Sequence, residues 1–382
     1  MADAKKIVFS SFQTPDTRVR IPVADSCGRV LAEPVYSKWT NPPLLLSGPD
    51  GIAVKSEATT GAGEKSGIEL DAPRVNTGMP MPDGYDAVIP IEEVIEVSEN
   101  KYQIHAPVSP LQNTIPCGED IGMDDMVMDA GHQIIPFDIG ALLSYGITDV
   151  LVTSWRVGLV ATGDEIISPY ETPKPGQIVD SNSYMIAGFL KQYGVVPVLY
   201  PVIPDDPATI SRELQKISTE CDMVLIFGGS SAGSKDHTVD AMEQCGTLLF
   251  HGVAMVPAKP VTLARINGKP AFGMPGPSIA SLTVLREFIS PLLSQWGVPI
   301  PPDLYVDGEL TEAVASVDGV DMFLMVKVHT DHGKTLITPV PRIFGHMMGV
   351  RADAVLHKKR GSDKLVKGQE VEVRAMRRET IG

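Results

Sequence analysis

Short apolar runs alternate with segments of helical periodicity through the middle of the chain. Arg156–Thr162 and Asp222–Phe227 are apolar, rich in branched residues and followed by glycine, which is typical of buried strands. Between them, Val179–Gly194 places its apolar side chains on one helical face. The pair Asp206-Pro207 predicts the start of a second helix that runs to about Glu220, because aspartate caps a first turn and proline fits it.

The same alternation continues to residue 298. The remaining predicted elements are a strand at Val195–Ile203, a helix at Asp236–Gln244, a strand at Thr247–Val256 and a long amphipathic helix at Pro277–Gln295. Strands and helices that alternate in this way form an open, mostly parallel sheet covered by helices on both faces. We therefore expect a central α/β/α domain over residues 153–298.

The pattern differs on both sides of this region. Met322–Val328 and Leu336–Val340 enclose a glycine turn, as the strands of a hairpin do, and Glu370–Arg374 alternates as a further strand. We therefore expect residues 303–382 to form a small, mainly β domain. The first 150 residues are irregular and β-rich, with one short helix near Phe137–Tyr145. The predicted fold class is a multidomain α/β protein.

The charge balance narrows the choice of partners. The chain has 32 basic and 47 acidic side chains, a net charge of −15, and we expect no nucleic-acid partner because neutralising phosphates needs a basic face. Residues 340–382, with 10 basic and 5 acidic side chains, are interpreted as a solvated surface. No apolar run approaches the length of a membrane span, and the four cysteines show no metal-ligand spacing. We therefore expect a cytoplasmic protein without a membrane partner.

Two glycine-rich loops, Ala161–Glu165 and Gly228–Gly233, follow predicted strands. Ligands of an open parallel sheet bind beyond the carboxyl ends of its strands, and free backbone N–H groups at such turns can hold anions. Both loops are equally well explained as tight turns. Lys259, which lies between Pro257 and Pro260, is a candidate cation for an anionic ligand, with a solvated lysine as the alternative.

Several carboxylates are also predicted at this edge of the sheet, beyond the carboxyl ends of its strands. Those that follow strands or begin helices are Asp164, Glu165, Asp205, Asp206 and Asp236. Hard oxygen ligands beside an anion-binding loop are what a Mg²⁺–phosphate site requires. Helix capping alone would also explain Asp206 and Asp236.

Gly229–Gly233 also matches the GxSxG pattern of a hydrolase nucleophile elbow, with Ser231 as the nucleophile. An acid and a histidine must then follow it, and Asp236 or Asp240 and His251 are available. His251 comes only 20 residues after the serine, with no further strand–helix layers between them. The hydrolase is therefore the less favoured interpretation.

A series of short motifs runs along nearly the whole chain. In order they are Ala24–Glu33, Asp50-Gly51, Asn76-Thr77-Gly78 with Pro82, Asp86 and Glu92, Thr162–Glu165, Gly176–Ile178 with Asp180 and Asn182, Asp205-Asp206, Gly228–Gly233 with Asp236, Lys259-Pro260, and Gly273–Gly276. Their number and order resemble the molybdopterin molybdenumtransferase family, of the bacterial MoeA and gephyrin E-domain type. By this resemblance, Ala24–Glu33 would form an opening helix.

The resemblance implies an elongated homodimer that binds adenylylated molybdopterin and Mg²⁺, inserts molybdate into the dithiolene and releases AMP. It also implies four regions: residues 1–26 with 118–152 as a linker and dimer domain, 27–117 as a β-rich domain that contributes to the partner's active site, 153–298 as the molybdopterin-binding domain, and 303–382 as the C-terminal β domain. Other molybdenum-cofactor biosynthesis proteins or recipient enzymes are further expected partners.

By the same resemblance, the site residues fall into three groups. Asp50, Thr77 and Lys259 would be catalytic, the first two acting from the partner subunit. Glu165, Asp206 and Asp236 would hold Mg²⁺. The cofactor-binding group would comprise Thr162, Gly163, Glu165, Asp180, Asn182, Gly228, Gly229, Ser231, Gly233, Pro275 and Gly276.

The chain departs from the family pattern where basic residues are expected. The family's KPGKP reads Val256–Pro260 and lacks one lysine, its LPGNP reads Met274–Ser278, and the arginine of its FLR step is Met325. Without one buried charge-assisted hydrogen bond, an oxyanion binds more weakly by roughly 1.5–3 kcal/mol. Arg342 and Arg351 are candidates to compensate. Two alternatives to a transferase therefore stay open: a non-catalytic protein that binds molybdopterin or finished cofactor, and a metal-dependent phosphohydrolase acting on another nucleotide.

Overall fold

The computed structural model describes residues 1–228, 237–315, 317–341 and 345–377. The chain divides into two compact units. The larger unit comprises Met1–Thr17 and Thr153–Gly382, and the smaller unit comprises Arg18–Val152. No helix among the described residues is both long and apolar enough to cross a membrane.

The first helix lies earlier in the chain than expected. Helix α1 (Ala2–Ser11) belongs to the larger unit and buries Ala4 and Val8. These two residues are four apart, the helical spacing that would have predicted the element.

The helix expected at Ala24–Glu33 is wrong. A short 3₁₀ turn, Val23–Asp25, is followed by an extended stretch in which Leu31 donates its N–H to the carbonyl oxygen of His132 at 2.9 Å. Gly28, with φ of +78°, lies in the left-handed region within the next turn, in which Arg29 donates its N–H to the carbonyl oxygen of Ser26. This segment therefore pairs as isolated bridges instead of coiling.

The smaller unit consists mainly of short strands. They are β1 (Arg18–Pro22), β2 (Val35–Tyr36), β3 (Leu46–Ser47), β4 (Gly51–Val54), β5 (Ile68–Asp71), β6 (Arg74–Val75), β7 (Ala87–Pro90), β8 (Val94–Ser98), β9 (Lys101–Ile104), β10 (Thr114–Ile115), β11 (Met126–Met128) and β12 (Asp149–Thr153). Helix α2 (Pro136–Ser144) confirms the short helix expected near its end.

Two three-stranded sheets, in the orders β6-β4-β7 and β5-β9-β8, share one core in this unit. Ile52 and Ile89, paired across β4 and β7, contribute to that core together with Tyr102 of β9. A second core lies around α2 and includes Leu31 and Leu142. The irregular, β-rich character expected from the sequence is confirmed.

The larger unit contains the alternating region predicted from the sequence. Its elements are β13 (Arg156–Ala161), β14 (Ile166–Ile167), β15 (Ile178–Val179), α3 (Asn182–Gln192), β16 (Val196–Leu199), α4 (Pro207–Glu220), β17 (Met223–Phe227), α5 (His237–Cys245), β18 (Thr247–His251), β19 (Met255–Val256), β20 (Thr262–Ile266), β21 (Lys269–Met274), α6 (Ser278–Val284) and α7 (Ser290–Gln295).

A six-stranded sheet in the order β16-β13-β17-β21-β20-β18 forms the centre of this region. The first four strands of that order are parallel, with Val157 opposite Met223 and Val224 opposite Ala271. Strand β20 is antiparallel to both of its neighbours, β21 and β18. Every residue of β17 is buried, as its continuous apolar run predicts. The expected open, mostly parallel sheet is confirmed.

Two expected elements differ in detail. The single strand expected at Thr247–Val256 is divided, because β18 pairs with β20 whereas β19 pairs with another sheet. The helix expected at Pro277–Gln295 is interrupted by a π-helical turn, Leu285–Ile289, between α6 and α7. Asn267-Gly268, both with positive φ, forms the turn between β20 and β21, a hairpin that this Asn-Gly pair would have predicted.

The C-terminal part of the larger unit is a small, closed β-barrel. Its elements are β22 (Tyr305–Leu310), β23 (Asp321–Asp331), β24 (Lys334–Pro339), α8 (Met347–Arg351), β25 (Ala354–Lys358) and β26 (Glu370–Ala375). The strands pair in the order β23-β24-β22-β26-β25, and β25 pairs again with β23 and closes the ring. The expected hairpin of β23 and β24 and the strand near Glu370–Arg374 are confirmed.

Candidate functional site

Several predicted site residues lie at one edge of the central sheet. Thr162 and Gly163 follow β13, Gly228 follows β17, and Pro275 and Gly276 follow β21. These three strands are parallel neighbours, so their carboxyl ends share an edge. This is where open α/β sheets bind ligands.

The first two loops touch each other through their backbones. Thr162 donates its N–H to the carbonyl oxygen of Phe227 at 2.8 Å, and its hydroxyl donates to that of Pro204 at 3.2 Å. Gly228 has φ of +112°, and a Cβ placed on it would lie 2.0 Å from the carbonyl oxygen of Thr162. Glycine is therefore required at this crossing by both conformation and space.

The start of α3 closes onto the third loop. Asn182 donates from its side-chain nitrogen Nδ2 to the carbonyl oxygen of Gly276 at 2.6 Å. Its Oδ1 is buried and has no hydrogen-bond partner among the described residues. Asp180, which is also buried, accepts a bond from the N–H of Ser183 at 3.1 Å and so stabilises the first turn of the helix. An orphaned amide oxygen at a sheet edge favours a ligand that donates a hydrogen bond there.

Carboxylates lie beside the first loop. Asp205 donates its N–H to Oδ1 of Asp164 at 3.4 Å, and the carboxylate of Glu165 folds back over Gly163. Asp205 Oδ1 is buried and unpartnered within the described part of the chain. This arrangement offers hard oxygen atoms next to backbone N–H groups.

His237, which is not among the site residues predicted from the sequence, completes this group. Its Nδ1 lies 2.9 Å from the carbonyl oxygen of Asp205 and 3.5 Å from Oδ2 of the same residue. It begins α5, four positions after Gly233 of the second glycine-rich loop. A polar side chain so close to that loop is the sequence signal that could have identified His237 as a site residue.

Asp206 caps α4. Its Oδ2 accepts a hydrogen bond from the N–H of Thr209 at 2.8 Å, and the bonds from Thr209 hold the pKa of Asp206 below its ordinary value. No cluster of three or more His, Cys, Asp or Glu with metal-binding geometry occurs among the residues that the structure describes. Four predicted site residues lie outside them: Gly229, Ser231, Gly233 and Asp236.

Lys259 lies beyond the same edge of the sheet. It precedes β20, whose first residue, Thr262, is paired with Gly273 near the end of β21. Lys259 is exposed and makes no ion pair with a described residue. The neighbouring Ala258 has φ of +84°, a conformation that glycine adopts more easily.

Asp50 and Thr77, the other two predicted catalytic residues, lie together in the smaller unit. Thr77 donates its N–H to Asp50 Oδ1 at 2.7 Å and its hydroxyl to the same atom at 3.1 Å. The backbone bond, followed by the hydroxyl bond, lowers the pKa of Asp50, and Arg74 contributes further. Both residues are exposed, so the anionic carboxylate is oriented and accessible.

A glycine directly follows each member of this pair, Gly51 after Asp50 and Gly78 after Thr77, and allows the local backbone geometry. A Cβ on Gly51 would lie 2.1 Å from the carbonyl oxygen of Ile89, because β4 and β7 approach closely there. Gly78 has φ of +73° and allows the turn in which Met79 donates its N–H to the carbonyl oxygen of Asn76.

Asp86, another residue of the motif series, is held inside the smaller unit. Both the hydroxyl and the N–H of Ser56 donate to its carboxylate, at 2.6 and 2.7 Å, and lower its pKa. Asp86 therefore has a structural explanation that needs no ligand.

Among the departures from the family pattern, Met325 is buried in β23, Arg351 is exposed on α8 and Arg342 lies outside the described residues.

Comparisons with known proteins assign the class and then the family. The family model "Probable molybdopterin binding domain" matches residues 158–295, and "MoeA N-terminal region (domain I and II)" matches residues 1–146. The first match contains the whole strand-end site, by which we mean Thr162, Gly163, Asp180, Asn182, Asp205, Gly228, Pro275 and Gly276. The central sheet with its polar carboxyl edge is thus a molybdopterin-binding α/β domain. The chain as a whole belongs to the MoeA family.

Relatives of similar length support this assignment. The chain is 30% identical over 298 residues to a molybdopterin molybdenumtransferase of Staphylococcus epidermidis, covering 72% of this chain and 71% of the relative. It is 26% identical over 336 residues to the protein of the same name from Haemophilus influenzae, covering 82% and 83%. The crystal structure of a molybdopterin biosynthesis MoeA protein from Pyrococcus horikosii matches with a TM-score of 0.82 at 28% identity and 98% coverage of both chains. The protein therefore belongs to molybdenum cofactor biosynthesis.

Proposed function

We propose that this protein inserts molybdate into adenylylated molybdopterin and releases AMP, with Mg²⁺ as cofactor. The observation that carries the proposal is the combination at one sheet edge of an orphaned amide oxygen on Asn182, an orphaned carboxylate oxygen on Asp205 and accessible glycine backbone at Gly276. The first suits a ring N–H of a pterin, and the other two suit a phosphate with its counter-ion.

The binding roles follow from the contacts. Gly228 and Gly276 would bring backbone N–H groups to the phosphates. Thr162 and Gly163 donate their N–H groups to the carbonyl oxygens of Phe227 and Ile203, so their proposed role is to shape the first loop around the ligand. Asn182 and Asp180 would orient the pterin at the start of α3. The predicted contacts of Glu165, Gly229, Ser231, Gly233 and Pro275 remain part of the same proposal.

Carboxylate oxygens are the type of donor that Mg²⁺ prefers. Glu165, Asp236 and one of the adjacent residues Asp205 and Asp206 would hold the ion, and the unpartnered Oδ1 of Asp205 is the observation in favour of that residue. Bound there, Mg²⁺ would neutralise charge on the phosphoanhydride. Asp164 would support this arrangement through its contact with the backbone of Asp205.

The remaining catalytic roles are assigned by charge. Lys259, an exposed cation beyond the sheet edge, would bind the oxyanion, either molybdate or tungstate. Asp50 would act as the anionic group that Thr77 holds in place, and we propose that both come from the second subunit of a homodimer. The cytoplasmic location and the further cofactor-biosynthesis or recipient partners stay predictions.

A binding function without turnover is the second candidate. Met325 is a buried apolar residue where the family pattern has an arginine, and Val256 stands in place of the first lysine of the family's KPGKP. With fewer cations for an oxyanion, the same pocket would hold molybdopterin or finished cofactor for delivery. This candidate needs the strand-end site but neither Asp50 nor molybdate.

AMP release separates the two candidates. Adenylylated molybdopterin is incubated with the protein and Mg²⁺, with molybdate, tungstate or neither, and AMP is followed over time. The transferase predicts oxyanion-dependent AMP that is abolished in Asp50→Ala and kept in the matched surface variant Asp71→Ala. Tight binding without AMP under any condition contradicts the transferase and leaves the carrier. Ready hydrolysis of ordinary dinucleotides without molybdate would indicate a phosphohydrolase.

A further inference from the structure

A cavity lies in the larger unit, and none of the strand-end residues lines it. Its volume is about 510 Å³, and its walls come from the end of α3, the π-helical turn Leu285–Ile289 with α7, residues 300–304 and the end of β26 with the two residues that follow it. Helix α3 begins at Asn182 at the strand-end site and reaches this cavity with Gln192 and Tyr193. Ten residues of helix separate the two places by about 15 Å.

Arg286 is the feature that distinguishes this cavity. It lines the cavity from the π-helical turn Leu285–Ile289, a local irregularity that is frequent at functional sites. Its Nη1 is buried and has no hydrogen-bond partner among the described residues. Burial lowers the pKa of Arg286, and the nearby positive charge of Arg374 adds to this effect.

Two carboxylates that interact with Arg286 also pair with other cations. Glu287 accepts from Lys5 Nζ at 2.7 Å and from Arg374 Nη2 at 2.9 Å, while Asp303 accepts from Arg374 Nη1 at 3.2 Å. Glu287 and Asp303, which itself lines the cavity, attract Arg286, but each shares its charge with another cation.

A second arginine adds to the positive charge. Arg377 also lines the cavity, and its Nη2 donates to a neutral carbonyl, that of Val350, at 2.8 Å. The cavity thus has an excess of positive charge in a chain whose net charge is −15. A desolvated guanidinium without a partner is costly, and an anion in the cavity would offset that cost.

The other walls suit an apolar body. Phe189, Tyr193, Ile300, Pro301 and Pro302 provide apolar surface, and Gln192 and Ser294 provide neutral polar groups. A small pocket with one charged anchor, apolar walls and a few polar groups is the usual form of a site for a small organic molecule.

We propose that this cavity binds a small organic anion whose phosphate or carboxylate group pairs with Arg286 and whose apolar body lies against Tyr193 and the prolines. Arginine suits this task because its planar guanidinium can bind either anionic group in a bidentate manner. The proposal is independent of the transferase reaction, because none of these residues belongs to the strand-end site.

Calorimetric titration of the full chain with phenyl phosphate tests the proposal. Benzoate, inorganic phosphate and phenol are titrated in parallel, so that the anionic group, the apolar body and the choice of phosphate or carboxylate are distinguished. We expect phenyl phosphate or benzoate to bind and phenol not to bind. Arg286→Gln should weaken binding of the anion by about 10-fold or more, because the substitution removes a charge-assisted hydrogen bond. The matched variant Arg212→Gln, on the exposed surface of α4, should bind like the wild type.

A second pair of variants covers the case in which Arg286→Gln does not fold. Ser294 lines the cavity and is exposed, so Ser294→Asp should place a competing carboxylate there, and Ser294→Asn is its neutral control. We expect the aspartate variant to lose the anion and the asparagine variant to retain it. Equal binding by the wild type and either charge variant, equal binding of phenol, or no binding of any anion would overturn the proposal. AMP release should be unchanged in Arg286→Gln, so failure here is distinct from failure of the transferase.

Discussion

Thr77 binds the carboxylate of Asp50 twice, with its N–H at 2.7 Å and its hydroxyl at 3.1 Å from the same oxygen. Both residues are exposed, and the two bonds hold the pKa of Asp50 below its ordinary value. The Asp50 carboxylate is therefore oriented by the neighbouring turn and accessible to a ligand.

Thr77→Val removes the hydroxyl bond and keeps the backbone bond. Because hydrogen bonds to the charged form lower the pKa of a carboxyl, the pKa of Asp50 should rise part of the way to its ordinary value. The acid limb of AMP release should shift to higher pH for the same reason. Carboxyl ¹³C NMR titration measures the pKa directly, with Thr60→Val as the exposed control. An unchanged Asp50 pKa would show that the hydroxyl does not act on the carboxylate.

Gly228→Ala tests the crossing of the first two loops. The new Cβ would lie 2.0 Å from the carbonyl oxygen of Thr162 at φ of +112°, so the loops must separate. We expect a loss of unfolding free energy of at least about 1–2 kcal/mol from the backbone conformation alone, with a further loss from the clash. Thermal denaturation measures the effect. A variant as stable as the wild type would mean that the two loops can separate without cost.

Gly276→Ala is the matched change at the neighbouring loop. No atom of the described residues lies within 4 Å of the added Cβ, and Gly276 has no positive φ, so stability should be unchanged. The proposed function requires close approach of ligand phosphate to this backbone, and we therefore expect weaker binding of adenylylated molybdopterin. Full binding with full stability would remove Gly276 from the site.

The choice between Asp205 and Asp206 as Mg²⁺ ligand can be tested by amide substitution. Asp206→Asn should keep the cap of α4, because asparagine caps a helix about as well as aspartate. Asp205→Asn removes the charge from an oxygen with no partner among the described residues, and we expect it to raise the Mg²⁺ requirement of AMP release by about 10-fold or more. The reverse pattern would select Asp206, the residue predicted from the sequence.

The sequence predicts elements whose signals are local. Helix α4 begins and ends as expected, because Asp206-Pro207 is both a cap and a permitted first turn. Helix α1 and the β20–β21 hairpin also carry local signals, in the spacing of Ala4 and Val8 and in Asn267-Gly268, although neither element was predicted. The helix expected at Ala24–Glu33 was wrong because pairing with distant segments, such as that of Leu31 with His132, decides its conformation.

The site depends more strongly on three-dimensional contacts. The motif series includes Asp50 and Thr77. It does not show that Thr77 donates both of its hydrogen bonds to one carboxylate oxygen of Asp50, because this follows only from the turn at Gly78. Whether the side-chain oxygens of Asn182 and Asp205 have hydrogen-bond partners depends on the residues that surround them in the fold. The local sequence does not predict those neighbours. The cavity around Arg286 is built from four separate segments and shows no sequence motif at all.

Glu287→Gln tests the buried charge network beside α7. Burial raises the pKa of Glu287, but the bond from Lys5 and the charge of Arg374 outweigh it, so the net pKa lies below the ordinary 4.5. A lowered folded-state pKa contributes stability that is complete above the unfolded-state value and is lost as pH falls through the folded-state value. Removing one partner of a buried network should cost about 3 kcal/mol at pH 7.

The difference in unfolding free energy between wild type and Glu287→Gln should therefore be largest at neutral pH and shrink as pH falls below about 4.5. Urea unfolding in a Trp39→Phe background measures it, because Trp155 and Trp296 then report on the larger unit alone. The control is Glu309→Gln, whose solvent-accessible pair with Lys334 spans 3.6 Å and should cost less than about 1 kcal/mol. A difference for Glu287→Gln that stays constant between pH 7 and pH 3 would show that packing, and not the charge of Glu287, stabilises this region.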